Sequence, residues 1–105
     1  MPLYFKLKSK TLNSMMVQYE ITISGRVQGV GYRYFAVQKA IEMGITGWVK
    51  NSVDGSVIIV AQGIEEEIKT FTDYLYIGPT RCRVDQISKV KFNTLSDFDN
   101  FSVKY

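Results

Sequence analysis

Val17, Tyr19, Ile21 and Ile23 alternate with Gln18, Glu20, Thr22 and Ser24, the period of a strand with one buried face. After a glycine-rich run the period changes. Tyr32, Phe35 with Ala36, Ala40 and Met43 recur at helical spacing, and Gly44 stands where a C-terminal cap belongs. Residues 44–51 predict a second strand, and Asp54-Gly55 a tight turn. Ser56 to Gln62, carrying Val57, Ile58, Ile59 and Val60, then returns as a third strand. Ile64, Ile68, Phe71 and Leu75 follow at i, i+4, i+7 and i+11, a second helix whose first turn is charged by Glu65, Glu66 and Glu67. Gly78-Pro79 ends it. Val84 to Phe92 predicts a fourth strand, and Phe101, Val103 and Tyr105 alternate as a short fifth.

The order is β-α-β-β-α-β followed by a short strand. That is the split arrangement of ferredoxin-like folds: an α+β sandwich with two helices on one face of an antiparallel sheet. Many unrelated functions use this topology, so function has to come from the site. The chain has 105 residues with 46% hydrophobic content, enough for one domain with its own core. Residues 17–105 form that domain, and residues 1–16 read as an N-terminal extension. Met15 and Met16 stand just before the first strand as possible starts. Leu3-Tyr4-Phe5 is too short for a signal peptide, and nothing is long enough to span a membrane. The single cysteine, Cys82, excludes an internal disulfide framework and leans the expectation to the cytoplasm.

Composition also narrows the chemistry. There is no histidine, which removes the commonest general base, a phosphohistidine mechanism and the commonest metal ligand. No metal or cofactor is expected. The net charge of +3 suits an anionic ligand but is short of a nucleic-acid stripe.

Ser24-Gly25-Arg26-Val27-Gln28-Gly29-Val30-Gly31-Tyr32-Arg33 lies between the first strand and the first helix. Free backbone N–H groups at a helix start favour an anion, and Arg33 adds a fork matched to phosphate oxygens. The run reads as a phosphate cradle with an arginine at its lip. It is no Walker loop, because Gly31 is followed by Tyr32 and Arg33 where Lys-Ser/Thr is required. Its glycines, Gly25, Gly29 and Gly31, miss the dinucleotide spacing. Cys82 has Ser88 where a cysteine phosphatase carries arginine, and Asp97 and Asp99 follow no buried strand. Asn51, ending the second strand before Ser52-Val53-Asp54-Gly55, is the second candidate. It either serves only the turn or faces the start of the first helix, where its amide can accept from and donate to a water beside the phosphate.

With these residues in place a resemblance is clear. Gly25-Arg26-Val27-Gln28-Gly29-Val30-Gly31-Tyr32-Arg33 resembles the first acylphosphatase signature, and Gly47 to Val57 resembles the second. The similarity extends to Asn100-Phe101-Ser102-Val103-Lys104-Tyr105. Tyr32 stands where phenylalanine is usual in the family, and Ile58 where many members carry glutamate. The resemblance implies hydrolysis of small-molecule acyl phosphates to a carboxylate and inorganic phosphate, without a metal. It implies that Arg33 is the catalytic, phosphate-binding arginine and that Asn51 orients the attacking water. The N–H groups of Gln28, Gly29, Val30, Gly31, Tyr32 and Arg33 would form the cradle.

Such a protein is expected to act as a monomer. An alternative is a catalytically inactive binding or regulatory domain of the same fold. An RNA-recognition module fits less well, since the exposed strand face lacks an aromatic pair flanked by Arg and Lys. Three finer expectations follow. Tyr34 and Trp48 pack at the rim of the site or elsewhere, Arg26 is solvated, and the terminal carboxylate of Tyr105 lies beside Arg33.

Overall fold

The computed structural model describes residues 15–105. Strand β1 spans Met16–Arg26, helix α1 Tyr32–Glu42, strand β2 Thr46–Asn51 and strand β3 Val57–Ile64. Helix α2 spans Glu65–Ile77, strand β4 Arg83–Lys91 and strand β5 Phe101–Val103. The element order is the one the hydrophobic periods predict, with boundaries shifted by one or two residues. The extension read at residues 1–16 lies outside the described residues except for its last two, and Met16 already belongs to β1.

Alternation decides which face is covered. Ile21 and Ile23 of β1, Val49 of β2 and Val57, Ile59 and Ala61 of β3 share the buried face. Helix α1 sets Tyr32, Ala36 and Ala40 against that face, and α2 sets Ile68, Phe71 and Leu75. The alanines carry little bulk, so α1 comes close to β2 and β5. No helix among the described residues is long and apolar enough to cross a membrane.

The strand order is β4-β1-β3-β2-β5. Four strands pair antiparallel, but β5 pairs parallel to β2, so the sheet is mixed where a wholly antiparallel one was expected. The reason is the route of the chain. Strand β4 ends at one edge of the sheet, and the chain must cross to the other edge before β5 begins. It therefore enters β5 from the end at which β2 also begins.

Two buried glutamines hold this crossing. Gln18 and Gln62 face each other across β1 and β3, on the side away from the helices. Gln18 Nε2 donates to the Thr94 carbonyl at 3.0 Å, and Gln62 Nε2 to that of Ser96 at 2.8 Å. Ser96 returns its N–H to Gln62 Oε1 at 2.8 Å. Buried amides are stable only when paired, and here the crossing loop supplies the partners.

Candidate active site

Strands β1 and β2 both run antiparallel to β3, and β5 runs parallel to β2. The C-terminal ends of β1, β2 and β5 therefore meet at one end of the sheet, where α1 begins. This topology brings the glycine loop, Asn51 and the last residues of the chain together. Within the loop Val27 is buried and anchors the turn. Gly29 and Gly31 take φ of 74° and 80°. A Cβ at either would meet nothing within 4 Å, so left-handed backbone, not crowding, is what calls for glycine there.

Gly31 is also the N-cap of α1 and offers no side-chain cap. Among the described residues, the N–H groups of residues 28–33 have no backbone acceptor. Uncapped N–H groups at the positive end of a helix form a site prepared for an anion.

Beside them lies a cavity of about 310 Å³. Of the residues expected at the site, Gly29, Gly31, Tyr32 and Arg33 line it. Its other walls are Val27, Tyr34, Val37, Val103 and Tyr105. Arg33 forms no ion pair among the described residues, where the pairs are Lys39–Glu42, Arg83–Asp85 and Lys91–Glu65. Its guanidinium carbon sits 5.5 Å from the centre of the Tyr105 ring. The expected partnership with the terminal carboxylate is thus replaced by a cation–π contact with the ring of the same residue. Tyr34 reaches the rim. Trp48 does not: it projects from the other face of β2, where Lys104 Nζ lies 4.6 Å from its ring centre.

Asn51, Gln28 and Val30 do not line the cavity. Asn51 shares the helix-facing parity of Val49 on β2, and among the described residues its buried Oδ1 has no hydrogen-bond partner. A buried, unpaired amide oxygen costs about 1–3 kcal/mol unless something fills the vacant position.

Gln28 has a part beyond its backbone. Its Nε2 donates to the carbonyls of Ser52 at 2.7 Å and Ser56 at 2.8 Å. These two residues close the β2–β3 turn, with Ser52 N–H donating to Ser56 O at 2.8 Å. Asp54 Oδ1 accepts from the N–H and the hydroxyl of Ser56, which holds its carboxyl below the ordinary range. Gln28 thus ties the glycine loop to the turn that follows Asn51. Only its position in the loop was legible beforehand, since its acceptors lie 24 and 28 residues away.

Tyr32 is buried, and its hydroxyl donates to the Leu75 carbonyl at 2.7 Å. That carbonyl belongs to the last turn of α2, and its usual donor four residues on is Pro79, which has no N–H. The extra oxygen of tyrosine therefore caps α2 from α1. Burial pushes its pKa well above the ordinary tyrosine value.

Cys82 is half-buried, and burial pushes its thiol up as well, opposite to what a nucleophile requires. Asp97 and Asp99 are exposed in the crossing loop. Among the described residues, no group of three or more His, Cys, Asp or Glu side chains is placed to hold a metal ion.

The comparisons with known proteins agree with this fold. The acylphosphatase family model matches residues 19–103. An acylphosphatase of Mannheimia succiniciproducens is 42% identical over 90 residues, covering 86% of this chain and 100% of the relative. The crystal structure of acylphosphatase from Bacillus subtilis superposes with a TM-score of 0.83 at 39% identity, covering 85% of this chain and 99% of that one. An acylphosphatase structure from Coxiella burnetii gives a TM-score of 0.84 at 33% identity, covering 89% and 97%. The chain belongs to the acylphosphatase family. It is an enzyme of that class, a hydrolase.

Proposed function

We propose that this enzyme cleaves the carboxyl–phosphate bond of small acyl phosphates, with the phosphate held by Arg33 and the N–H groups of residues 28–33. Asn51 positions the attacking water. The observation that carries this reading is the buried Oδ1 of Asn51, unpartnered among the described residues, at the end of the sheet where Arg33 likewise has no ion pair among them. An acceptor with no protein donor is suited to receive a hydrogen bond from water, and an unpaired guanidinium to receive phosphate oxygens.

The chemistry asks for little else. An acyl phosphate is a mixed anhydride whose leaving group is a carboxylate of pKa about 4, so it departs without a proton. Water oxygen bonds to phosphorus, the bond from phosphorus to the acyl oxygen breaks, and its electron pair leaves with the carboxylate. A phosphate oxygen of the substrate takes the water's proton. A loose transition state makes small demands on a general base, so a chain with no histidine can catalyse it. Charge stabilisation and placement of the water remain, and these are the roles of Arg33 and Asn51.

The test is release of inorganic phosphate from benzoyl phosphate, before and after exhaustive chelation. Activity should survive chelation; loss restored by magnesium or zinc would overturn the metal-free mechanism. Asn51→Ala should lower kcat by about 10²-fold while inhibition by phosphate changes little. A folded Asn51→Ala protein with the parent kcat would reduce Asn51 to a turn residue.

A further inference from the structure

We infer that Arg26, Lys50 and Arg81 form a collar of unpaired positive charge that draws the anionic substrate to the site and governs its capture without touching it. This rests on the hydrolase reading above and adds residues that act before the chemical step. Charge is not spread evenly over the described residues. The end of the sheet at which β1, β2 and β5 finish carries Arg26, Arg33, Lys50, Arg81, Arg83 and Lys104, against the side-chain carboxylates of Asp54 and Asp85. The opposite end, where α1 finishes, α2 starts and the crossing loop runs, carries Glu42, Glu65, Glu66, Glu67, Asp97 and Asp99. Of the lysines there, Lys39 and Lys91 are paired with Glu42 and Glu65. The two signs are thus separated along the strand direction.

Part of the positive charge at the site end is already engaged. Asp85 holds Arg83 at 2.9 Å, and Lys104 lies over the ring of Trp48. Asp54 is turned to the N–H and hydroxyl of Ser56. Arg26, Lys50 and Arg81 make neither an ion pair nor a cation–π contact among the described residues. Arg26 stands directly opposite Arg83 across β1 and β4, a like-charge pairing that costs stability. No packing offsets that cost, since Arg26 is exposed. A charge kept where the fold gains nothing from it points to a role outside the fold.

Each of the three adjoins the site. Arg26 comes two residues before Gln28, and Lys50 one before Asn51, on the other face of β2. Arg81 lies in the turn closed by the Cys82 N–H on the Pro79 carbonyl at 3.1 Å. That turn packs on Tyr32, the neighbour of Arg33, because Gly78 has both Cys82 Sγ and the Tyr32 ring beside it. Such separations are on the order of 10 Å, the Debye length at about 0.1 M salt. They are too long for contact with a phosphate at Arg33 and short enough for its charge to be felt. A unit charge about 10 Å from a dianion in water raises its affinity about threefold at about 10 mM salt, and about 1.5-fold at about 0.15 M. Together the collar multiplies to about 20-fold and about threefold under the same conditions.

The experiment follows kcat/KM for benzoyl phosphate, and the dissociation constant of inorganic phosphate by calorimetry, from about 10 mM to about 0.5 M sodium chloride. Removing the collar with Arg26→Gln, Lys50→Gln and Arg81→Gln together should lower kcat/KM by those factors, with kcat within about twofold of the parent. Phosphate affinity should fall in parallel. Arg26→Gln and Arg81→Gln alone, at exposed positions where folding is not at risk, should each cost about threefold at about 10 mM salt. The charge-preserving set Arg26→Lys, Lys50→Arg and Arg81→Lys should behave as the parent, because a charge acting at a distance needs no particular fork. Lys69→Gln, Lys89→Gln and Lys91→Gln together remove the same charge farther from the site, and should cost no more than about threefold at low salt. A collar loss that does not shrink as salt rises, or that either of the other two sets reproduces, overturns the collar. Phosphate affinity with the predicted salt pattern but no hydrolysis keeps the collar and removes the hydrolase. Hydrolysis whose salt dependence the collar variant leaves unchanged removes the collar and keeps the hydrolase.

Discussion

Removing the side-chain amide of Gln28 should impair turnover far more than phosphate binding. Gln28→Leu deletes two hydrogen bonds, at 2.7 and 2.8 Å, to the Ser52 and Ser56 carbonyls. Both carbonyls keep one donor: Gly55 N–H at 3.1 Å for Ser52, and Ser52 N–H at 2.8 Å for Ser56. The loss is therefore the net value of two neutral hydrogen bonds, about 1–3 kcal/mol in all, and not the larger penalty of an orphaned buried group. A domain with the usual 5–15 kcal/mol of stability tolerates that and stays folded. What changes is the tie between the glycine loop, whose N–H groups are proposed to hold phosphate, and the turn adjoining Asn51. In the proposed mechanism phosphate binding uses only the loop and α1, whereas turnover needs loop and Asn51 in register. A shift of about 1 Å at a reacting centre costs on the order of 10²-fold. The expected result is a kcat reduced by that order, with the inhibition constant for inorganic phosphate within about threefold of the parent. Gln28→Glu should fare no better, because it presents an acceptor to two acceptors. Phosphate-release kinetics, competitive inhibition and urea unfolding measure the three quantities. A variant that loses stability but keeps its kcat, or loses kcat and phosphate affinity in proportion, would show that Gln28 is a structural brace only.

Substitutions at two more positions extend the test. Arg33→Lys keeps the charge but not the planar fork, so phosphate inhibition should weaken by about tenfold or more and turnover should not recover; near-parent phosphate affinity in Arg33→Ala would show that the backbone N–H groups suffice. Tyr32→Phe leaves the Leu75 carbonyl without its donor and should cost about 1–3 kcal/mol at neutral pH, read by urea unfolding. Burial raises the pKa of Tyr32 in the folded state, so above about pH 10 the unfolded chain loses this proton first and the parent loses stability. Tyr32→Phe lacks that component, and an alkaline unfolding profile unchanged by the substitution would contradict it.

The features legible in the sequence are those with local causes. Alternation over Val17 to Ser24, the 3.6-residue spacing of Ile68, Phe71 and Leu75, and glycines at positions of positive φ all depend on residues a few places apart. The glycine loop and the place of Arg33 on the first turn of α1 follow from the same short-range rules. Pro79 marks locally that Leu75 lacks its helical donor, but that Tyr32, 43 residues away, supplies one was not legible. The tertiary structure decided whatever depends on distant partners. It made β5 parallel by routing the chain across the sheet, and gave Gln18 and Gln62 acceptors 76 and 34 residues away. It turned the Gln28 amide toward the hairpin and brought the ring of Tyr105, where its carboxylate was expected, to Arg33. A side chain's hydrogen-bond partner is set by which strands become neighbours. Periodicity records only which face of its own element a residue occupies.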